Sequence, residues 1–252
     1  MNIGFLGSGH ITSSIIEGIF KSKLKIKKIY ISPRNKLISK KISKRFKKVT
    51  IAINNQQVID RSNWVFLAVT PQVGSKILNK LKFNKNKKII SFISTINLEK
   101  LKKYTKNKNI SRVIPLPFIG MRKGPIIICP KNNQLKNFFK HLGKVIELKN
   151  EKTSKAFWST SSFMASFYFL LNQTSNWLTS KGIKRKDAED YTRELFLALS
   201  EDAINKNKNS LKQLVLESQT PGGTNAYVLN QLKKKKFYKV QQTVLNSIFK
   251  KF

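Results

Sequence analysis

Two stretches of this 252-residue chain combine residue types and spacings that suit anion binding. Near the start, Gly7-Ser8-Gly9 follows an apolar run from Asn2 to Leu6 and precedes Ile11, Ile15, Ile16 and Ile19 at helical spacing. A strand, a glycine turn and a helix in that order form a phosphate cradle: Gly7 permits the tight turn, Gly9 lets a pyrophosphate approach the backbone, and the helix start supplies free N–H groups and the positive end of its dipole. Thr12 stands where such turns often carry a third glycine. Late in the chain, Thr220-Pro221-Gly222-Gly223-Thr224-Asn225 leads into a helical run through Tyr227, Val228 and Leu232. Successive backbone N–H groups there would make an anion nest, and the same residues would equally serve as a plain turn between helices. At the end of the second predicted strand, where an acid commonly holds a ribose 2′-hydroxyl, the chain has Ser32 and Arg34. A hydroxyl and a guanidinium suit a 2′-phosphate instead.

The elements that must carry these groups read as a strand–helix alternation. Strands are expected at Asn2–Leu6, 25–31, 49–52, 64–69, 88–93 and 110–114, with helices from His10, over 37–46, over 73–81 and over 98–104 between them. WVFLAV, residues 64–69, is apolar throughout, as a parallel strand covered on both faces should be. The alternation predicts an α/β fold with a Rossmann-type doubly wound parallel sheet, whose ligands bind at the carboxyl ends of the strands. A seventh strand over 124–129, a helix over 134–142 and a closing strand over 144–148 follow. Beyond about residue 150 almost everything is helix-periodic: 157–171, 177–179, 187–203, 211–217 and 237–252. An all-helical C-terminal domain is therefore expected over 151–252, after a dinucleotide-binding domain over 1–150. Phe163, Phe167, Tyr168 and Phe169 fall close together there and suit a core or a subunit interface.

Composition narrows the classes. No run of 18 apolar residues occurs, which argues against a membrane span, and the start lacks a basic leader with an apolar run, so no secretory signal is read. The single cysteine, Cys129, excludes an internal disulfide and a multi-cysteine metal site. His10 and His141 are not at ligand spacing, so no metal is expected, and a cytoplasmic location fits best. The net charge of +38 could suggest nucleic-acid or anionic-membrane binding. Its lysines are spread over the whole chain with many Asn and Ile, all with A/T-rich codons, and no basic helix carries interleaved aromatics. The charge therefore reads as base-composition bias on solvated faces, with neither a specific nucleic acid nor a membrane as partner.

Taken together, these stretches resemble the pyrroline-5-carboxylate reductase family, NADPH-dependent enzymes of the last step of proline synthesis. GFLGSGHITSSIIEG is similar to the family's opening G-F-I-G-x-G-x-M/L-A-x-A-I-x-x-G, FLAVTPQ to its F/L-A-V-K-P, RVIPLP to its R-x-M-P-N-T-P, and TPGGTN to its S/T-P-G-G-T/A-T. The resemblance implies a Rossmann-type NADP-binding domain and a helical domain that interlocks with its partner in a homodimer or higher homo-oligomer. It implies cofactor contacts at Gly7, Ser8, Gly9, His10 and Ile11, at Ser32 and Arg34, at Asn55, at Ala68, Val69, Thr70 and Pro71, and at Ser94. It implies that the carboxylate of a small imine substrate sits on the backbone amides of Gly222, Gly223 and Thr224, with Asn225 at the position that hydrogen-bonds the ring nitrogen.

The chain departs from the pattern at three places. Thr70 replaces a lysine, Leu116 replaces an asparagine, and STSSFMAS, Ser159 to Ser166, replaces a small-residue motif rich in Gly and Pro. These changes should reshape the pocket wall, so another imine or carbonyl substrate of the same superfamily stays open. A deazaflavin-dependent NADP reductase and a nucleotide-binding protein without turnover are further alternatives. The expected reaction is hydride transfer from NADPH to a cyclic imine, held in orientation by the protein. A protonated imine is already electrophilic, which suits a sequence without a His–acid pair. Asn225 could donate a hydrogen bond but cannot titrate.

Overall fold

A computed structural model describes residues 1–251 and divides the chain into two compact units, Met1–Trp158 and Ser159–Lys251. The first unit runs β1 (Asn2–Leu6), α1 (His10–Phe20), β2 (Lys28–Ile31), α2 (Lys36–Arg45), β3 (Val49–Ile51), α3 (Asn55–Asp60), β4 (Trp64–Leu67), α4 (Pro71–Ile77), β5 (Lys88–Ser91), α5 (Leu98–Thr105), β6 (Ile110–Ile114), β7 (Pro125–Cys129), α6 (Asn133–Phe139) and β8 (Lys144–Glu147). The sheet has eight strands in the order β3-β2-β1-β4-β5-β6-β7-β8. The strand order reverses between β1 and β4, and a crevice opens at such a point outside the carboxyl ends of the strands.

The alternation of side chains along the strands fills both faces. Ile3, Phe5, Ile29, Ile31, Phe66 and Ile90 point to one side, where they pack with Ile15, Ile16 and Ile19 of α1 and with Phe138 and Phe139 of α6. Leu6, Val65, Leu67 and Ile89 point to the other, against Val58 and Ile59 of α3, Leu78 and Leu101 of α5. Phe5 and Phe66 face each other in register across β1 and β4, with stacked rings 4.7 Å apart. Each side chain of this size contributes about 1.5–3 kcal/mol when fully buried. The first turn of the fold is thus fixed from both sides of β1.

The predicted sheet is corrected at one end. β7 runs antiparallel to β6, and β8 is parallel to β7, so the last two strands oppose the other six. A parallel return needs a crossover of about a dozen residues or more. The link from Ile114 to Pro125 holds only a short 3-10 turn, Pro117–Met121, and cannot make one. The strand expected over 25–31 begins only at Lys28. α3, absent from the sequence reading, is capped by Asn54, whose side chain accepts from Gln57 N–H while Gln57 Oε1 accepts from Ile53 N–H.

The division falls after Trp158, whereas the sequence reading sets it near residue 150. Glu151, the first residue of the expected second domain, is bound to Arg112 and the Leu98 N–H.

Helix α7 (Ser154–Thr160) crosses the division, and α8 (Met164–Ser180), α9 (Arg185–Asn205), α10 (Leu211–Glu217), α11 (Thr224–Lys234) and α12 (Phe237–Phe249) complete the second unit. The helix expected over 157–171 is interrupted by a 3-10 turn at Ser161–Phe163, and the segments expected at 157–171 and 177–179 are joined in α8. Among the described residues of this unit, the only buried apolar side chain is Ala188. Phe167, Phe169, Trp177, Tyr191, Leu199 and Tyr227 are all exposed. Among the described residues no helix is long and apolar enough to cross a membrane.

Candidate functional site

The Gly7–Gly9 turn sits at the carboxyl end of β1. Gly7 has φ of +113°, and an added Cβ would strike the Ala68 carbonyl, so only glycine fits. Thr12, at the third-glycine position, is fully buried and its hydroxyl donates to the Gly7 carbonyl at 2.8 Å. The hydroxyl thus braces the turn, a role that a count of glycines does not reveal. Gly9 behaves differently. Its φ of −80° suits any residue, and a Cβ there would meet no protein atom within 4 Å. Gly9 leaves space in front of the α1 N-terminus, where no side chain caps the free N–H groups and no acid lies in the first turn. Ser8 Oγ is buried beside it without a partner among the described residues. His10 is exposed and Ile11 half-buried on the first turn of α1.

Ser32 is brought to the same turn, but its hydroxyl is occupied. It accepts from Gly7 N–H at 3.1 Å and lies 2.7 Å from Asn55 Oδ1, to which it can donate. At 2 % exposure it shapes the turn and joins it to the start of α3. Arg34 is exposed and forms no ion pair among the described residues. Two adjoining cavities of about 290 and 660 Å³ share Gly7, Arg34, Val69 and Val73 in their walls. The smaller adds Ser32, Asn55, Gln72, Lys76 and Ile77, and the larger adds Ser8, Gly9, Lys36, Ala68 and Thr70. No Asp or Glu lines either one. Pro71 is the first residue of α4, whose N-terminus is likewise uncapped by any side chain. Lys36, Gln72, Val73, Lys76 and Ile77 are additional wall residues that the sequence reading does not name. Val73 and Ile77 recur at helical spacing and could have been found; the two lysines stand among 50 basic residues with nothing to mark them.

Ser94 lies elsewhere, in a cavity of about 210 Å³ beyond β5, with Thr95, Asn97, Arg112 and Glu151. In the helical unit, the turn before α11 has Gly222 at φ of +73° and Gly223 as N-cap residue, with no side-chain cap. Gly223 N–H is bound to the Thr220 carbonyl at 2.9 Å, and a Cβ on Gly223 would strike Thr220 Oγ1. Thr224 and Asn225 open the helix and are exposed. One amide proton of Asn225 is already given to the Ser218 carbonyl at 3.1 Å, which leaves the other.

These features match known proteins in two halves. Residues 2–97 match the family model described as NADP oxidoreductase coenzyme F420-dependent, and residues 151–252 match the model described as pyrroline-5-carboxylate reductase dimerisation. The chain belongs to the pyrroline-5-carboxylate reductase family. A pyrroline-5-carboxylate reductase of Staphylococcus epidermidis is 21% identical over 243 residues, covering 92% of this chain and 89% of that protein. The 1-pyrroline-5-carboxylate reductase structure from Streptococcus pyogenes superposes with a TM-score of 0.85 at 20% identity, covering 100% of this chain and 97% of the other. A Plasmodium falciparum pyrroline carboxylate reductase, solved with NADP bound, gives 0.84 at 20% identity, with 100% and 96% covered. As a member of the pyrroline-5-carboxylate reductase family, this chain carries its departures at defined places. Thr70 is the exposed N-cap of α4, and Leu116 is the half-buried residue before the turn that follows β6.

Proposed function

We propose that this chain reduces 1-pyrroline-5-carboxylate to L-proline with NADPH. The observation that carries the cofactor half is the open space at Gly9 before an uncapped α1: a shape that a Cβ would fill and that the fold does not itself need. The buried Ser8 hydroxyl, an Arg34 without an ion pair among the described residues and the absence of acids from the cavity walls fit a dinucleotide that carries a 2′-phosphate.

Bound NADPH would supply a hydride to the imine carbon. Gly7, Ser8, Gly9, His10 and Ile11 would hold its pyrophosphate, and Arg34 its 2′-phosphate. Ser32 and Asn55 would keep the turn in shape, Ala68 to Pro71 would line its path, and Ser94 would lie toward the nicotinamide end. Residues 151–252 would bind the substrate and dimerise. Gly222 and Thr224 would hold the carboxylate on N–H groups at the positive end of α11, with no arginine required, while Gly223, whose N–H is bound to the Thr220 carbonyl, would leave room for it. The side-chain carbonyl of Asn225, whose amide group already donates to the Ser218 carbonyl, would accept from the protonated ring nitrogen. An amide does not titrate, so the imine must arrive with its own proton.

A homodimer is supported by the helical unit, which buries no large apolar side chain of its own among the described residues. Such a surface needs a partner chain. The single buried cysteine suits a reducing cytoplasm. The departures at Thr70, Leu116 and Ser159 to Ser166 favour one rival, a different cyclic imine. NADPH oxidation measured with 1-pyrroline-5-carboxylate and with its six-membered homologue decides between them; no turnover of either overturns the proposal.

A further inference from the structure

The mechanism above leaves one buried charged cluster unused. Arg112 stands on β6, opposite Ser91 of β5 and Cys129 of β7, and is only 5 % exposed. Its Nη2 donates to two successive carbonyls of the loop that follows β5, Ile93 at 3.1 Å and Ser94. Its Nη1 is paired with Glu151. The two oxygens of Glu151 also accept from the Leu98 N–H, the first amide of α5, at 3.0 and 3.1 Å. The Trp158 ring lies 5.8 Å from the guanidinium carbon. Arg112 and Glu151 therefore grip the loop 92–97 at both ends, from neighbouring strand and following chain.

This grip is costly unless it fixes something. Burying two charges carries a desolvation penalty that their attraction often only matches, and an apolar pair of similar volume would hold a loop as well. What a fork of guanidinium donors adds is direction. Arg112 Nε is also buried, with no acceptor among the described residues, in a side chain that lines the 210 Å³ cavity. The cavity lies past the carboxyl end of β5 and beside the middle of β6. Arg34, at the end of β2, marks the side of the crevice where the 2′-phosphate would sit. A dinucleotide crossing the Gly7–Gly9 turn from there must put its nicotinamide half on the β4–β5 side, toward loop 92–97.

We infer that Arg112 and Glu151 are positioning residues, which set the β5–α5 loop so that Ser94 presents the nicotinamide ring to the substrate without contributing to the adenosine end. The inference rests on the NADPH-dependent reading above. It is tested on the full-length protein with Glu151→Gln and Arg112→Lys, each checked by thermal melting; the glutamine keeps the shape and an acceptor for Leu98, so a folded variant is available even if the lysine is not. Two ligands separate the two ends of the site: NADPH, followed by the emission of its dihydronicotinamide, and 2′,5′-ADP, which lacks that ring and is followed by competition. The expected result is unchanged 2′,5′-ADP affinity within about twofold, a loss of at least half of the nicotinamide emission enhancement, and kcat lower by about tenfold, since small misplacements of reacting groups are that costly. Glu151→Gln with emission and kcat like the parent overturns the inference, as does an equal fall in affinity for both ligands. If the parent protein binds neither ligand, the cofactor reading itself fails, which the variants alone could not cause.

Discussion

Gly7 and Gly9 sit two residues apart, yet an alanine should act on them in opposite ways. At Gly7 the φ of +113° disfavours any side chain, and the new Cβ would overlap the Ala68 carbonyl, which is rigid backbone. Left-handed strain costs about 1–2 kcal/mol and forced overpacking roughly 1–3 more. Gly7→Ala should therefore destabilise by about 2–5 kcal/mol, which for a chain of this size lowers Tm by roughly 5–15 °C. At Gly9 neither term exists: the backbone is ordinary and the space around the Cβ is empty to 4 Å. Gly9→Ala should hold Tm or raise it slightly, by up to about 1 kcal/mol, because alanine restricts the unfolded chain. The methyl group would instead occupy the phosphate approach. A loss of about 1.4 kcal/mol or more is expected there, which raises the NADPH Kd at least about tenfold. Melting at one fixed protein concentration and fluorescence titration with NADPH measure both quantities. A Gly9→Ala protein that binds NADPH like the parent would refute the argument that this space belongs to a pyrophosphate.

Four further outcomes are expected. NADPH should be preferred to NADH by about tenfold or more in kcat/KM, and Arg34→Asp should erase or invert that ratio; equal values in the parent would remove Arg34 from the 2′-phosphate site. Light scattering at micromolar concentration should show a two-fold dimer with an interface above roughly 2,000 Å², and a folded, monodisperse monomer would contradict it. Because a Cβ on Gly223 would strike Thr220 Oγ1, the carboxylate site is best tested by Gly223→Ala in a Thr220→Ala background. The imine KM should rise there while NADPH binding holds, and an unaltered KM would place the carboxylate elsewhere. Burial, aided by the Glu151 charge and opposed by Arg112, pushes the Cys129 thiol up to about 11. The unfolded thiol ionises near its ordinary value while the folded one keeps its proton, so this group withdraws stability as pH rises from about 8 toward 11. Thiol reagents at pH 8 should label Cys129 only after denaturation.

The sheet was legible where burial left a mark on residue type. Trp64 to Leu67 could hardly be anything but a covered strand, and the Gly7–Gly9 turn follows from strand, glycines and helix in sequence. Strand direction at the far end was not legible, because it depends on whether the ten or so residues after Ile114 can form a crossover, and composition does not encode that. α3 escaped because six residues are too few for a periodic signal, although Asn54 and Gln57 already spelled its cap. In the candidate site, Ser32 lies beside the Gly7 turn, but its hydroxyl proves to be engaged with Gly7 and Asn55, a fact that only the fold reveals. Arg112 was visible as part of a motif. Its grip on Ile93, Ser94 and Glu151 joins residues up to 39 positions apart and has no local signature.

The helical half, which has exposed Trp177, Tyr191 and Tyr227 and no large apolar side chain buried among its described residues, ties the economy of the molecule to its abundance. A structure that completes its interior only with a second copy obeys mass action: its melting temperature rises with concentration, and dilution favours loss of order before loss of any covalent integrity. Newly made chains would then carry sticky helices until they meet, for a time that scales inversely with how many are present. The lysines distributed over the same surface would keep such waiting chains apart from wrong partners by like-charge repulsion, while the apolar faces still allow the right one to close.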